Sequence, residues 1–210
     1  MPGLGANPKI FEHISLPKDT FELHFLEWKT PLSIEEPLEE YARRMSQDII
    51  HKNPVLLGVS FGGILMQEVS KIIPFKKIIL ISTIKSHHEF PNRLKLIQRT
   101  KVYKFFPSKI VENLDQYTKY FLGDFLKKRA EIYEMYLSVK DALYMKWAIY
   151  NVLHWQQESS PKNTVHIHGN KDHVFPSKHI KNFILVDQGT HVMILLKAKT
   201  ISDIIFKNLT

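Results

Sequence analysis

The sequence predicts an α/β protein: a mainly parallel sheet flanked by helices, with a helical cap inserted between two of its strands. Three observations carry this. Short apolar, β-rich runs alternate with helical patterns up to Ser82, the order that builds a parallel sheet covered on both faces. The alternation then stops and resumes only at Thr164, so one strand-to-strand connection carries a large insertion. Three of the runs end at a glycine that is followed closely by a serine, an aspartate or a histidine.

In chain order, FELHFLEW (Phe21 to Trp28) reads as a strand, and IEEPLEEYARRMSQDIIHK has the spacing of an amphipathic helix. PVLLGV (Pro54 to Val59) is a buried strand, followed by a helix from about Gly62 to Ile73 and a second buried strand, KKIILIS (Lys77 to Ser82). TVHIHG (Thr164 to Gly169) and NFILVDQG (Asn182 to Gly189) supply two more strands, and the chain closes with a helix near Ala198 to Asn208. This division assigns 1–82 and 161–210 to the core and 83–160 to a helical cap. The cap places Leu, Phe, Tyr and Ile at helical spacing, with Pro107 and Gly123 as breaks. Most of its aromatics are expected to pack; some are expected to line an apolar pocket.

Composition narrows the function. The 210 residues contain no cysteine, which excludes disulfides, thiolate metal sites and a cysteine nucleophile. No apolar run is long enough to span a bilayer, and the start MPGLGANPKIFEH lacks the features of a signal peptide. The chain therefore reads as cytoplasmic. Its formal charge of +8 comes from lysines scattered among Glu and Asp, a solvated basic surface rather than the clustered stripe of a nucleic-acid binder.

The chemistry sits where the strands end. Gly58-Val59-Ser60-Phe61-Gly62 is G-x-S-x-G between a strand and a helix, a tight turn that exposes the serine above the sheet. A serine hydroxyl needs a base, and the base an orienting acid. Asp172 follows TVHIHG in the pattern G-x-x-D-x-x-x-P, and His191 follows the last strand in the pattern G-x-H. Ser60, Asp172 and His191 thus all come just after strand ends, in the order Ser, Asp, His.

On these motifs the chain resembles the α/β-hydrolases of the small, esterase-like serine-hydrolase type, and the resemblance covers nearly all of it. It implies Ser60 as nucleophile, His191 as general base and then acid, and Asp172 as the group that holds the imidazole. Pro2-Gly3-Leu4-Gly5-Ala6 is similar to the H-G-x-G oxyanion loop of that family, with proline in place of histidine. The backbone amides of Leu4 and Phe61 are then the candidate oxyanion hole. In this fold the oxyanion loop follows a central strand, and here only Met1 and Pro2 precede it. The N-terminal strands are thus expected to be absent or truncated, and a segment upstream of Met1 is the expectation.

Eleven histidines raise a metal alternative, above all His166 and His168 on one strand face with His173 nearby. No carboxylate has a ligand spacing that rivals the triad, so no metal or cofactor is expected. His87 and His88, at the start of the cap, read as solvated. The expected activity is hydrolysis of an ester or related acyl bond of a small to medium, largely apolar substrate through an acyl-enzyme. A serine nucleophile argues against dehalogenase or epoxide-hydrolase chemistry, which in this fold relies on aspartate. Thioester and carbon–carbon cleavage stay open, as does a noncatalytic ligand-binding homologue if the N-terminal loop is too loose to hold charge. Oligomeric state is not legible.

Overall fold

Four strands, β1 (Val55–Val59), β2 (Lys77–Ile81), β3 (Thr164–Gly169) and β4 (Ile184–Val186), lie side by side in sequence order, every pair parallel. The computed structural model describes residues 1–105, 135–139 and 141–210. Register sets Val59 beside Ile81, Ile81 beside Ile167 and Gly169 beside Val186. All four carboxyl ends therefore open on one edge of the sheet.

Alternation along the strands builds two cores. Leu56, Ile78 and Leu80 pack on one face with helices α1 (Leu38–Ser46), α2 (Phe61–Val69) and α4 (Ala142–His154). Val59, Ile79, Ile81, Ile167 and Val186 pack on the other, with α5 (Met193–Leu196) and α6 (Ala198–Leu209). In α1 the buried side chains Leu38, Tyr41, Ala42 and Met45 form one stripe. Its acidic first turn and basic last turn complement the helix dipole. All nine residues of α2 are buried, as expected of the helix wedged directly behind Ser60.

The insertion between β2 and β3 contributes α3 (Asn92–Thr100) and α4, the latter capped by Asp141, whose Oδ1 accepts from the Tyr144 amide at 2.7 Å. The part of the expected cap that falls on 106–134 and on 140 lies outside the described residues.

Two differences from expectation concern the flank beyond β1. Phe21–Trp28 is not a strand: its apolar pattern suits a sheet, but its backbone enters no ladder. Among the described residues no strand precedes β1. Among the described residues Met1 alone pairs with β1 on that side, its amino group donating to the Leu57 carbonyl at 2.7 Å and its carbonyl accepting from the Val59 amide at 3.1 Å. Among the described residues no helix is long and apolar enough to cross a membrane.

Candidate active site

Ser60 stands at the junction of β1 and α2 with φ 52° and ψ −122°, a strained conformation of the kind that costs about 1–3 kcal/mol and is held by its surroundings. The hold is visible. The Ser60 amide donates to the Ile81 carbonyl at 2.9 Å, and the Thr83 hydroxyl donates to the Ser60 carbonyl at 2.7 Å. A Cβ at Gly62 would lie 2.2 Å from the Pro2 carbonyl oxygen, so the N-terminal loop reaches the serine only because position 62 has no side chain.

A second close approach joins the other two strand ends. A Cβ on Gly169 would lie 2.0 Å from the Gly189 carbonyl oxygen. The loops after β3 and β4 therefore touch through two glycines, and the Lys171 amide donates to Gly189 across the join at 2.9 Å. Asp172 and His191 are thereby brought together. His191 Nδ1 lies 2.9 Å from Asp172 Oδ2, and His191 Nε2 lies 2.9 Å from Ser60 Oγ. All three residues picked out from the sequence thus form one hydrogen-bonded chain.

Asp172 is buried and fully engaged: Oδ1 accepts from the amides of Val174 (2.8 Å) and Phe175 (2.9 Å). Burial pushes its carboxyl up, but the charge and hydrogen bond of His191, with help from His168 and the Phe175 amide, outweigh burial and leave it below its ordinary range. Behind it lie His168 and His166, rings 5.3 Å apart. His168 Nε2 donates to the Phe175 carbonyl (2.8 Å) and His166 Nε2 to the Thr83 carbonyl (3.1 Å). Burial holds both imidazoles below the ordinary histidine range, His166 well below it with Lys85 nearby. These two histidines brace the strand and the loops beside it.

The proposed oxyanion loop is tied down at several points. The Trp28 indole donates to the Gly3 carbonyl at 2.8 Å, and the Gly5 amide donates to the Tyr144 hydroxyl at 3.3 Å. The Asn7 amide donates to the Tyr136 carbonyl at 2.8 Å, and the Val139 amide to the Gly5 carbonyl at 3.1 Å. Phe61 opens α2, where the first amides have no acceptor within the helix. Among the described residues the Leu4 amide has no protein acceptor. Sequence reasoning missed Trp28, Thr83, Tyr136 and Tyr144, because each acts on a loop far away in the chain and none carries a local motif.

Ser60 and His191 open into a cavity of about 140 Å³ whose walls include Leu4, Ala6, Val59, Leu94, Met145 and Phe175. Tyr136, Leu137, Ile149 and Val152 of the insertion add to the lining.

Comparison with known proteins agrees with this architecture. No protein-family model matches the sequence, and no curated protein matches it. Among solved structures the chain is similar to a thermophilic esterase from Thermogutta terrifontis, at 15% identity and TM-score 0.66 over 99% of this chain and 87% of that one. It is also similar to an epoxide hydrolase from Bacillus megaterium (15%, TM-score 0.64, 99% and 91%) and to MenH from S. aureus (17%, TM-score 0.63, 100% and 91%). The chain has the α/β-hydrolase fold.

Proposed function

We propose that this protein is a serine hydrolase that cleaves an ester or related acyl bond of a small to medium, largely apolar substrate. The observation that carries this reading is His191, within 2.9 Å of both Ser60 Oγ and Asp172 Oδ2 at the mouth of an apolar cavity. Fold alone would not choose the chemistry; the three convergent side chains support acyl transfer to Ser60.

In this reading His191 Nε2 takes the Ser60 proton as Oγ bonds to the acyl carbon, and the carbonyl π electrons move to oxygen. The amides of Leu4 and Phe61 receive that oxyanion. The imidazolium rests against Asp172, then gives its proton to the leaving group as the bond to the acyl carbon breaks. Water, deprotonated by His191, repeats the sequence and frees the acid and Ser60. The anchored loop weighs against the noncatalytic alternative, which needed a loose one. The lining favours an apolar acyl group, and the choice among ester, thioester and carbon–carbon bonds falls to a substrate panel.

The test is labelling by a fluorophosphonate, followed by turnover of p-nitrophenyl esters and acyl thioesters of increasing chain length. Labelling and turnover are expected in the wild type, and both are expected to vanish in Ser60→Ala at unchanged melting temperature. Undiminished turnover in Ser60→Ala, or a wild type inert to the probe, would remove the nucleophile assignment.

A further inference from the structure

The insertion leaves β2 and returns to β3 through a narrow neck, where two histidines and a carboxylate converge. The His87 amide donates to the Gln157 carbonyl at 2.9 Å, fixing the outgoing segment to the returning one. The His87 and His88 rings lie 3.9 Å apart. The Glu158 carboxylate sits between them, Oε1 3.5 Å from His87 Nδ1 and Oε2 3.1 Å from His88 Nε2. The Gln157 carbonyl oxygen is 3.1 Å from His87 Nδ1.

One ligand atom from each of the three side chains lies within 4.8 Å of the other two, and the nitrogen–oxygen spacings are close to the edge of a metal tetrahedron. Nitrogen and oxygen ligands about 2.0–2.1 Å from a zinc ion lie roughly 3.3 Å from one another. Two imidazoles and one carboxylate are also a donor set that suits a borderline divalent ion rather than calcium or magnesium. We infer that His87, His88 and Glu158 form a binding site for a zinc-class divalent ion at the neck of the insertion.

The ion would take the place of ring N–H protons. Each neutral imidazole shifts its proton to the other ring nitrogen and offers the freed lone pair, so no oxidant or further reactant is needed. His87 is partly enclosed, whereas His88 and Glu158 face solvent, leaving an open side from which the ion enters. The neck bears on α2, whose first residue Phe61 lines the cavity, through Gln157, whose Nε2 donates to Gln67 Oε1 of α2 (2.8 Å) and to the Lys85 carbonyl (3.0 Å). A bound ion would therefore stiffen the stems of the segments that line the cavity.

A second group, Glu22, His24 and His51, also gathers three ligands, all exposed. Among the described residues no hydrogen bond ties its two segments together, so it provides the internal control. The experiment is calorimetric titration of the full chain, stripped with EDTA, with Zn²⁺ in a non-chelating buffer at pH 7.5, with melting temperature read in parallel. One site of micromolar affinity is expected, with a rise in melting temperature at saturation. His88→Ala and Glu158→Gln are each expected to weaken binding about tenfold or more, and His51→Ala to leave it unchanged. Both test positions are exposed, and a metal-free melt of each variant verifies its fold; the near-isosteric Glu158→Gln suffices should His88→Ala fail to fold. Absence of binding, or affinity that ignores His88→Ala and Glu158→Gln, including affinity lost in His51→Ala instead, would overturn the inference.

Discussion

Among the described residues two apolar clefts flank β1, and the smaller one holds Ser60 and His191. The cleft over Ser60 has a volume of about 140 Å³. The other is about 400 Å³ and runs beneath β1 between Leu16, Phe21, Phe25, Ile49, Leu57 and Ile205. Volume by itself would thus point to the larger cleft. What distinguishes the small cleft is that three strand ends deliver a hydroxyl, an imidazole and a carboxylate to one line of hydrogen bonds. Among the described residues the large cleft receives no such set: its polar side chains, Thr20, Glu22, His24, Asp48 and His51, are all exposed and lie on segments outside the sheet. A site is marked by converging polar groups that the fold holds in register, and apolar space is only its setting.

The sharpest way to break that comparison is to leave the small cleft its shape and remove its orientation. Asp172→Asn keeps size and packing but offers an amide where His191 Nδ1–H needs an acceptor, so the wrong tautomer is favoured. The expected loss in kcat is about 10⁴-fold with KM little changed, measured on the best p-nitrophenyl ester. Activity within tenfold of wild type would reduce Asp172 to a turn residue and leave the two clefts alike.

The small cleft was far more legible in sequence than the flank of the large one, and the reason is physical. Gly58, Gly62, Gly169 and Gly189 are required by close approaches of backbone, so G-x-S-x-G, G-x-x-D and G-x-H announce the turns they build. Likewise Ile78, Ile79, Leu80 and Ile81 are buried on both faces and could only be a central strand. Phe21–Trp28 misled because strand patterning reports a half-buried surface, whereas a strand exists only where a partner edge accepts its hydrogen bonds. Trp28 and Tyr144 were invisible as supports of the Gly3–Gly5 loop for the same reason, since the partners they bind are chosen by the fold. His87 read as solvated because Gln157 and Glu158, which enclose it, arrive from the far end of the insertion.

A weaker effect separates the polar layer behind Asp172 from the rest of the core. His166 and His168 stay neutral in the folded state below the pH at which the unfolded chain protonates them. With folded pKa values below the unfolded ones, their contribution to stability is complete above about pH 6.5 and is lost as the pH falls from there toward the folded values. The slope is about 1.4 kcal/mol per pH unit for each proton the unfolded state binds and the native state does not. Asp172 adds a loss of the same sign only below the ordinary carboxylate range, so the window between pH 7.5 and 5.5 carries the histidines together with the Met1 amino group, which burial lowers from its usual 8.0 to about 5. Urea midpoints should fall across that window. In His166→Leu they should start lower, because Thr83 loses a hydrogen-bond donor, and then fall less steeply; equal slopes in the two proteins would mean that His166 is not held neutral.

The smallest expected effect sharpens the comparison, because it falls on the residue that joins the two clefts. Trp28 closes the segment that walls the large cleft, stacks on Phe61 with ring centroids 5.0 Å apart, and donates to the Gly3 carbonyl beside Ser60. Trp28→Phe retains an aromatic ring against Phe61 and deletes the donor. The Gly3 carbonyl keeps its bond from the Ala6 amide at 3.0 Å, so the cost is that of one hydrogen bond, about 1 kcal/mol, felt at the loop that carries the Leu4 amide. If that amide binds the developing oxyanion, the cost falls on the transition state alone: kcat drops about fivefold to tenfold, KM stays put, and labelling by the fluorophosphonate slows by a similar factor. Phe25→Ser, made in the large cleft and away from Gly3, should leave kcat within a factor of two. A Trp28→Phe variant that raised KM at unchanged kcat would show that the loop shapes the pocket without stabilising charge, and a Phe25→Ser variant that matched it in kcat would show that the flank acts on the site as a whole, with no special role for the indole's bond to Gly3.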